Sequence, residues 1–188
     1  MEILRAAARV FRISGFAAAG MREIASEADL SPGNLYHYFQ GKDEILYYCQ
    51  EQALERLLGA QDESRSTGGP AVEQLRRVIR DHVVCVLDEF EGSVAHLEVE
   101  ALPADLRQSI TNRRDRYERG LREMISAGVR QGEFAPCDAE LVTRAILGAL
   151  NWTARWYRPD GSHSASEIAA GMADYLVRGL VNESGGSR

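Results

Sequence analysis

Apolar residues recur at helical spacing along nearly the whole of this chain, and no alternating strand pattern of useful length interrupts them. The first segment sets the pattern: Ile3, Leu4, Ala7, Ala8, Val10 and Phe11 form one stripe, and the same period returns until the last residues. Such a chain can bury its apolar faces only by packing helix on helix, so the fold class is all-α. With 188 residues, 45% of them apolar, it carries enough for a real core.

Punctuation divides the pattern. A first helix is expected over Glu2 to Ser14, closed by Gly15, and a second over Met21 to Ala28 with Met21, Ile24, Ala25 and Ala28 facing inward. Asp29-Leu30-Ser31-Pro32 stops the second. A third helix, Gly33 to Phe39, then starts behind Ser31 as N-cap, with Pro32 where a missing amide hydrogen costs least. A fourth is expected from Lys42 to about Gly59, followed by a polar, Gly-rich loop, Gln61 to Pro70. Beyond it come helices over about Ala71 to Glu91, Ser93 to Ala101, Pro103 to Gln131, Asp138 to Tyr157 and Ser164 to Val181. The division this suggests is a three-helix unit, residues 1–42, and a larger helical unit, 43–188, connected by the helix from about 43 to 59.

The third segment carries most of the functional information. In LSPGNLYHYFQGK, Leu30 to Lys42, three aromatics and a histidine crowd behind a Ser-Pro-Gly turn, although aromatics make up only 7% of the chain. Leu35 and Phe39 are four apart and share an inner face, to pack against Phe11, Ile24 and Ala25. Asn34, Tyr36, His37 and Gln40 then face outward, with Tyr38 at the margin. A short helix, a tight turn and a second short helix bearing hydrogen-bonding tips describe a helix-turn-helix, whose second helix enters the DNA major groove. Hydroxyls, an amide and an imidazole can reach phosphates or base edges there, and Lys42, at the start of the next helix, is expected to clamp a phosphate. The net charge is −6, yet residues 1–42 hold five cations against four acids, so the acidity lies downstream of this unit.

The stretch from Gly15 to Lys42, G-F-x(4)-M-R-E-I-A-x-x-A-x-L-S-P-G-N-L-Y-H-Y-F-x-x-K, resembles the TetR family of bacterial transcriptional regulators. The resemblance implies a homodimer in which the N-terminal module binds double-stranded operator DNA while the C-terminal part dimerises and holds a small-molecule effector. By position in the motif, Arg22, Gly33, Asn34, Tyr36, His37, Tyr38 and Lys42 would be the DNA-binding residues, Gly33 by permitting close backbone approach. Two positions depart from the pattern: Ala19-Gly20 stands where many members carry a capping Ser or Thr, and Asp29 where many carry glycine. No basic arm precedes the first helix in this sequence, and operator affinity is expected to be modest.

The C-terminal half offers a second informative stretch, LGALNWTARWYRPDG, Leu147 to Gly161. Trp152 and Trp156 are four apart and share a face, either as pocket lining or as ordinary core or dimer packing. The passage resembles the acyl-CoA-responsive branch of the TetR family, which implies Trp152, Arg155 and Trp156 as ligand-binding residues. The run NRRDRYERGLRE, Asn112 to Glu123, holds five arginines: a phosphate site for a nucleotide-bearing effector, or a solvated face laced by pairs four apart such as Arg114 with Glu118 and Glu118 with Arg122. His82 and Cys85 sit on an apolar helix as pocket or core positions. Small residues (Ala145, Gly148, Ala149; Ala169, Ala170, Gly171, Ala173) let the last two long helices pack closely, across a two-fold into a four-helix bundle or within one subunit. A two-fold pair sets two recognition helices about 35 Å apart, one turn of DNA, or a multiple of it.

Other chemistries find little support. Cys49, Cys85 and Cys137 are odd in number and widely spaced, which fits neither a disulfide framework nor zinc and suits a reducing cytoplasm. His96 and Glu100 share a face without a third ligand, so no metal is expected. No phosphate loop, dinucleotide fingerprint or nucleophile-base spacing appears, and neither catalysis nor a cofactor is expected. No run of residues is long and apolar enough to span a membrane. The reading is a homodimeric repressor released from its operator by an effector that prefers a conformer with misplaced recognition helices, with co-repression or activation left open. A small helical-bundle enzyme, or a ligand carrier without DNA binding, is the alternative, and neither needs the outward face of Asn34 to Gln40.

Overall fold

Local chemistry ends the helices much as the punctuation suggests. The computed structural model describes residues 2–87 and 99–182. Among them lie eight α-helices and no strand: α1 (Glu2–Ala18), α2 (Met21–Glu27), α3 (Pro32–Tyr38), α4 (Lys42–Thr67), α5 (Ala71–Leu87), α6 (Ala104–Arg130), α7 (Ala139–Trp156) and α8 (Ala165–Arg178), with a single 3-10 turn at Val99–Ala101. Gly15 breaks α1 as expected: its φ of 75° is one that a side chain rarely tolerates, and only a last turn, Phe16 to Ala18, follows. The Ser31 hydroxyl caps α3 by accepting the Asn34 amide hydrogen at 3.2 Å. Asp138 caps α7 through the amides of Glu140 and Leu141. Ser164 and Glu167 form a reciprocal capping box on α8, and the Ser164 amide and hydroxyl, both donating to the Glu167 carboxylate at 2.8 Å, hold it below its ordinary range.

The expected loop from Gln61 to Pro70 is instead mostly helix, since α4 continues to Thr67. Tertiary partners override the polar composition. The Gln61 amide, buried, donates to the Tyr117 carbonyl at 3.1 Å, Ser64 Oγ donates to the Gln74 carbonyl at 3.1 Å, and Arg65 reaches the Gly120 carbonyl at 3.0 Å. Glycine at 120 lets α4 and α6 approach this closely, because a Cβ there would collide with the Gln61 amide. The part of the fifth expected helix beyond Leu87, and residues 93–98 of the helix expected over Ser93 to Ala101, lie outside the described residues; Val99–Ala101 is the 3-10 turn.

Two apolar clusters form the core. One gathers Ala7, Val10, Phe11, Ile24, Ala25 and Leu35 with Ile45, Leu46, Cys49 and Leu54 of α4, and reaches Val99, Leu102 and Ile110. The other packs Leu57 and Leu58 of α4 with α5, α6, α7 and α8. Helix α8 lies along α5, and a short antiparallel pairing ties the α6–α7 connection to the segment after α8, with Ala135 donating to the Leu180 carbonyl at 2.8 Å. Helix α4 therefore contributes to both clusters, and α6 spans both through Ile110 and Leu121.

Candidate nucleic-acid interface and cavity

Asp29 takes a φ of 53°, and around it the Leu30 amide bonds back to the Ala25 carbonyl at 2.9 Å and the Asp29 amide to Ser26 at 3.3 Å. This is the Schellman closure of a helix, built with aspartate in the left-handed position that glycine usually fills. At the other end of α2, Gly20 supplies no side-chain cap. The turn presents α3 with Leu35 as its one buried residue. Asn34, Tyr36, His37, Tyr38 and Gln40 are exposed, Tyr36 at 55% and Tyr38 at 66%, and Arg22 is exposed on α2. Among the described residues nothing requires glycine at 33, where a Cβ would meet only Ser31 Oγ at 3.9 Å. Phe39 departs from expectation: it is the extended residue that ends α3, half-buried, with its ring edge-on to Tyr48 at 5.8 Å.

Lys42 requires a correction. Its ammonium donates to the carbonyls of Phe16, Ala17 and Ala19 at 2.8, 3.0 and 3.0 Å and sits 4.8 Å over the Phe16 ring. All three of its hydrogens are thus committed to the open end of α1, and the expected side-chain phosphate clamp gives way to a lock between α1 and α4. This is the chain's sole lysine among 22 cations, at a place where three converging carbonyls suit a compact three-donor head better than a planar guanidinium fork.

A cavity of about 270 Å³ opens among α4, α5, α6 and α7. Leu54, Leu57 and Leu147 give it apolar walls, His82, Tyr117 and Asn151 a polar interior, and Arg114, Glu118 and Arg144 a charged rim. His82 lies between Tyr117, at 3.0 Å from Nδ1, and Asn151 Oδ1, at 3.2 Å from Nε2. Burial pushes its pKa down to about 4, so the ring is neutral near pH 7; Nε2–H donates to Asn151, and Nδ1 accepts from the Tyr117 hydroxyl. Burial likewise raises Tyr117, which keeps the proton it donates, and lowers Arg114. Glu118 pairs with Arg144 at 3.8 Å, and Arg144 with Glu140 at 2.7 Å.

Trp152, Arg155 and Trp156 do not line this cavity. All three are exposed, Trp152 at 63% and Trp156 at 47%, and the two tryptophans share a stripe with Leu141, Ala145 and Gly148 on the side of α7 away from buried Ile146, Leu150 and Thr153. Exposed Gly171 and Tyr175 of α8 stand beside it, and a groove of about 510 Å³ between the two helices is lined by Val142, Ala145, Ile146, Tyr175, Leu176 and Leu180. Of the small residues of α8, Ala169 and Ala173 are buried inside the subunit, Ala170 is half-buried and Gly171 is exposed. The arginine run of α6 also differs from the intrahelical lacing: Arg113 pairs with Glu51 at 2.8 Å, Arg116 with Asp62 at 3.5 Å and Arg122 with Glu140 at 3.5 Å, each on another helix. Sequence reasoning missed Leu54, Leu57, Tyr117, Arg144 and Asn151; a histidine on an apolar helix face was the signal that polar partners had to be near. His96 lies outside the described residues, and among those described no cluster of three potential ligands could hold a metal.

Residues 3–49 match the model of bacterial regulatory proteins of the tetR family, and residues 68–180 that of the tetracyclin repressor-like C-terminal domain. The chain belongs to the TetR family of bacterial transcriptional regulators. It is similar to the HTH-type transcriptional repressor KstR2 of Mycolicibacterium smegmatis, 26% identical over 187 residues that cover 98% of this chain and 91% of its relative. The TetR family regulator PfmR of Thermus thermophilus superposes with a TM-score of 0.86 at 35% identity, over 96% of this chain and 99% of PfmR. AibR in complex with isovaleryl coenzyme A and operator DNA superposes with a TM-score of 0.78 at 26% identity, over 93% of this chain and 96% of AibR. These likenesses run through both helical parts, so the protein is a TetR-family DNA-binding regulator rather than a helical-bundle enzyme, and no described helix is long and apolar enough to cross a membrane.

Proposed function

We propose that the protein is a homodimeric, cytoplasmic repressor released from operator DNA by an acyl-CoA thioester. Residues 1–42 form its DNA-binding unit and 43–188 its effector and dimer unit. Arg22, Gly33, Asn34, Tyr36, His37 and Tyr38 meet the duplex, and the Lys42 residue contributes through its backbone amide at the start of α4. One observation carries this reading: every side chain of α3 except Leu35 is left to solvent, a polar aromatic ridge that serves nothing inside the chain.

The effector occupies the His82–Asn151 cavity. At about 270 Å³ it lies near the lower end of ligand pockets, roughly 300 to 1,000 Å³, which suits a short acyl group and leaves a nucleotide at the rim beside Arg114 and Arg144. The outer stripe of Leu141, Gly148, Trp152 and Trp156 pairs with its symmetry copy, so the tryptophans act in dimerisation. AibR, whose structure holds both isovaleryl coenzyme A and operator DNA, supports this combination.

The test is fluorescence anisotropy with DNA flanking the protein's own gene. Binding should weaken steeply with salt, fall at least tenfold in Tyr36→Ala without loss of fold, and be reversed by short-chain acyl-CoA. Unchanged affinity in Tyr36→Ala and Asn34→Ala would remove α3 as the contact surface.

A further inference from the structure

Six described polar side chains are buried in the core, and five of them have partners. Gln61 donates to Tyr117, Ser64 to Gln74, His82 bonds Tyr117 and Asn151, Thr143 donates to Ala139 and Thr153 to Leu150. Gln50 is the exception. It is 0% exposed, and among the described residues neither its amide nitrogen nor its amide oxygen meets a hydrogen-bonding group. A buried amide left unpaired opposes folding, and apolar residues of similar size fill such a place at no such cost.

Its position points to a use. Gln50 stands on α4 four residues before Leu54 and seven before Leu57, hence on the same helical face, and those two leucines are the α4 wall of the cavity. Along the α4 axis Gln50 precedes Leu54 by about one turn, roughly 6 Å, on the side towards the DNA-binding helices. An apolar ligand entering past Arg114 and Arg144 and displacing Leu54 would reach it with its far end. The amide NH2 can donate to a ketone or hydroxyl oxygen, and the amide oxygen can accept from a hydroxyl, so the matching group carries oxygen.

We propose that Gln50 is the deep polar contact of the effector site, and that the effector is an apolar group carrying a ketone, hydroxyl or similar oxygen at its buried end rather than a plain hydrocarbon chain. This rests on the cavity being the effector site. A contact to a neutral oxygen that relieves an unpaired amide is expected to favour the oxygenated ligand by about tenfold.

The experiment titrates decanoyl-CoA and 9-oxodecanoyl-CoA by calorimetry into the intact dimer, as wild type, Gln50→Leu and Gln50→Met. Decane and 2-decanone, followed by thermal shift, serve as probes that need no coenzyme. Expected are tighter binding of the oxo compounds to the wild type, loss of that preference in both variants, and variants at least as stable as the wild type without ligand. The unbranched methionine guards against misfit of leucine. If the wild type binds both thioesters equally, Gln50 is satisfied by water and the proposal falls while the effector reading stands. If neither ten-carbon thioester binds but butyryl-CoA does, the site ends short of Gln50 and the proposal falls while the effector reading stands; if butyryl-CoA fails as well, the acyl-CoA reading falls, and the ketone-hydrocarbon pair decides: a preference for 2-decanone lost on substitution supports Gln50, and no preference overturns it.

Discussion

His82 makes acid a specific threat to this fold. In the unfolded chain an imidazole titrates near 6.5, whereas burial between Tyr117 and Asn151 lowers it to about 4 in the native state. Because the native pKa is the lower one, the unfolded state binds the extra proton, so stability falls as pH drops from 6.5 towards 4 and is unaffected by this group above 7. At pH 5 the unfolded chain gains about 2 kcal/mol from this one proton, and below pH 4 the loss approaches about 3.4 kcal/mol, from 1.36 kcal/mol per unit over the interval between the two values. The assay is urea unfolding of wild type and His82→Gln at matched protomer concentration between pH 7.5 and 5, since the carboxylates titrate alike in both and cancel in the difference. The variant should lose about 2 kcal/mol less than the wild type over that range. Parallel curves would refute the reasoning, as would an NMR titration placing the His82 midpoint above 6. The same neutrality constrains the proposed effector: with His82 neutral at physiological pH, its anionic part belongs at the arginine rim.

The locked ammonium predicts that Lys42→Met destabilises the fold by about 2 to 3 kcal/mol, through loss of three charge-assisted hydrogen bonds, and that Lys42→Arg restores little; thermal unfolding measures both. A stability equal to wild type in Lys42→Met, with operator binding lost, would return the side chain to DNA. Trp152→Glu sets like charges against a copy of the same exposed stripe and should yield monomers by light scattering at micromolar concentration, with helical content unchanged. A persistent dimer would move the interface elsewhere.

The helices and the exposed ridge of α3 were legible because they are written in local terms: period, caps, the Pro32 stop and the spacing of Leu35 against its polar neighbours. What could not be read locally was decided by partners distant in sequence. The polar stretch after Gly59 is helical because Tyr117 and Gly120, more than fifty positions away, accept its hydrogen bonds. Lys42 carries a charge that suits a phosphate equally well until the carbonyls of residues 16, 17 and 19 are brought to it. The two tryptophans share a face in any helix, but which face looks inward depends on the apolar stripe opposite, where Ile146, Leu150 and Thr153 are buried. Apolar content alone does not distinguish a covered face from one awaiting a second copy.

Helix α4 gives the proposed effector cavity a mechanical route to the DNA-binding helices. Its first turns, Ile45, Leu46 and Cys49, are packed into the cluster that holds α3, and its later turns, Leu57 and Leu58, into the cluster that holds the cavity. Between them Glu51 joins Tyr47 and, at 2.8 Å, Arg113 of α6, the residue next to cavity-lining Arg114. The fifteen residues from Leu57 back to Lys42 span roughly 22 Å of rigid rod, so a tilt of about 5° at the cavity wall carries the start of α4 by about 2 Å. Such a tilt cannot be absorbed at the near end, because the Lys42 ammonium ties α4 to α1 and the Phe39–Tyr48 contact ties it to the end of α3. The DNA-binding helices must move as one body with it. A shift of 2 Å in each subunit, taken outward from the two-fold axis, changes the separation of the recognition ridges by about 4 Å, which is more than a base-pair step of roughly 3.4 Å along each strand. On the proposed reading, a ligand bound behind Leu54 puts the pair out of register with its operator without altering any residue of the α3 ridge.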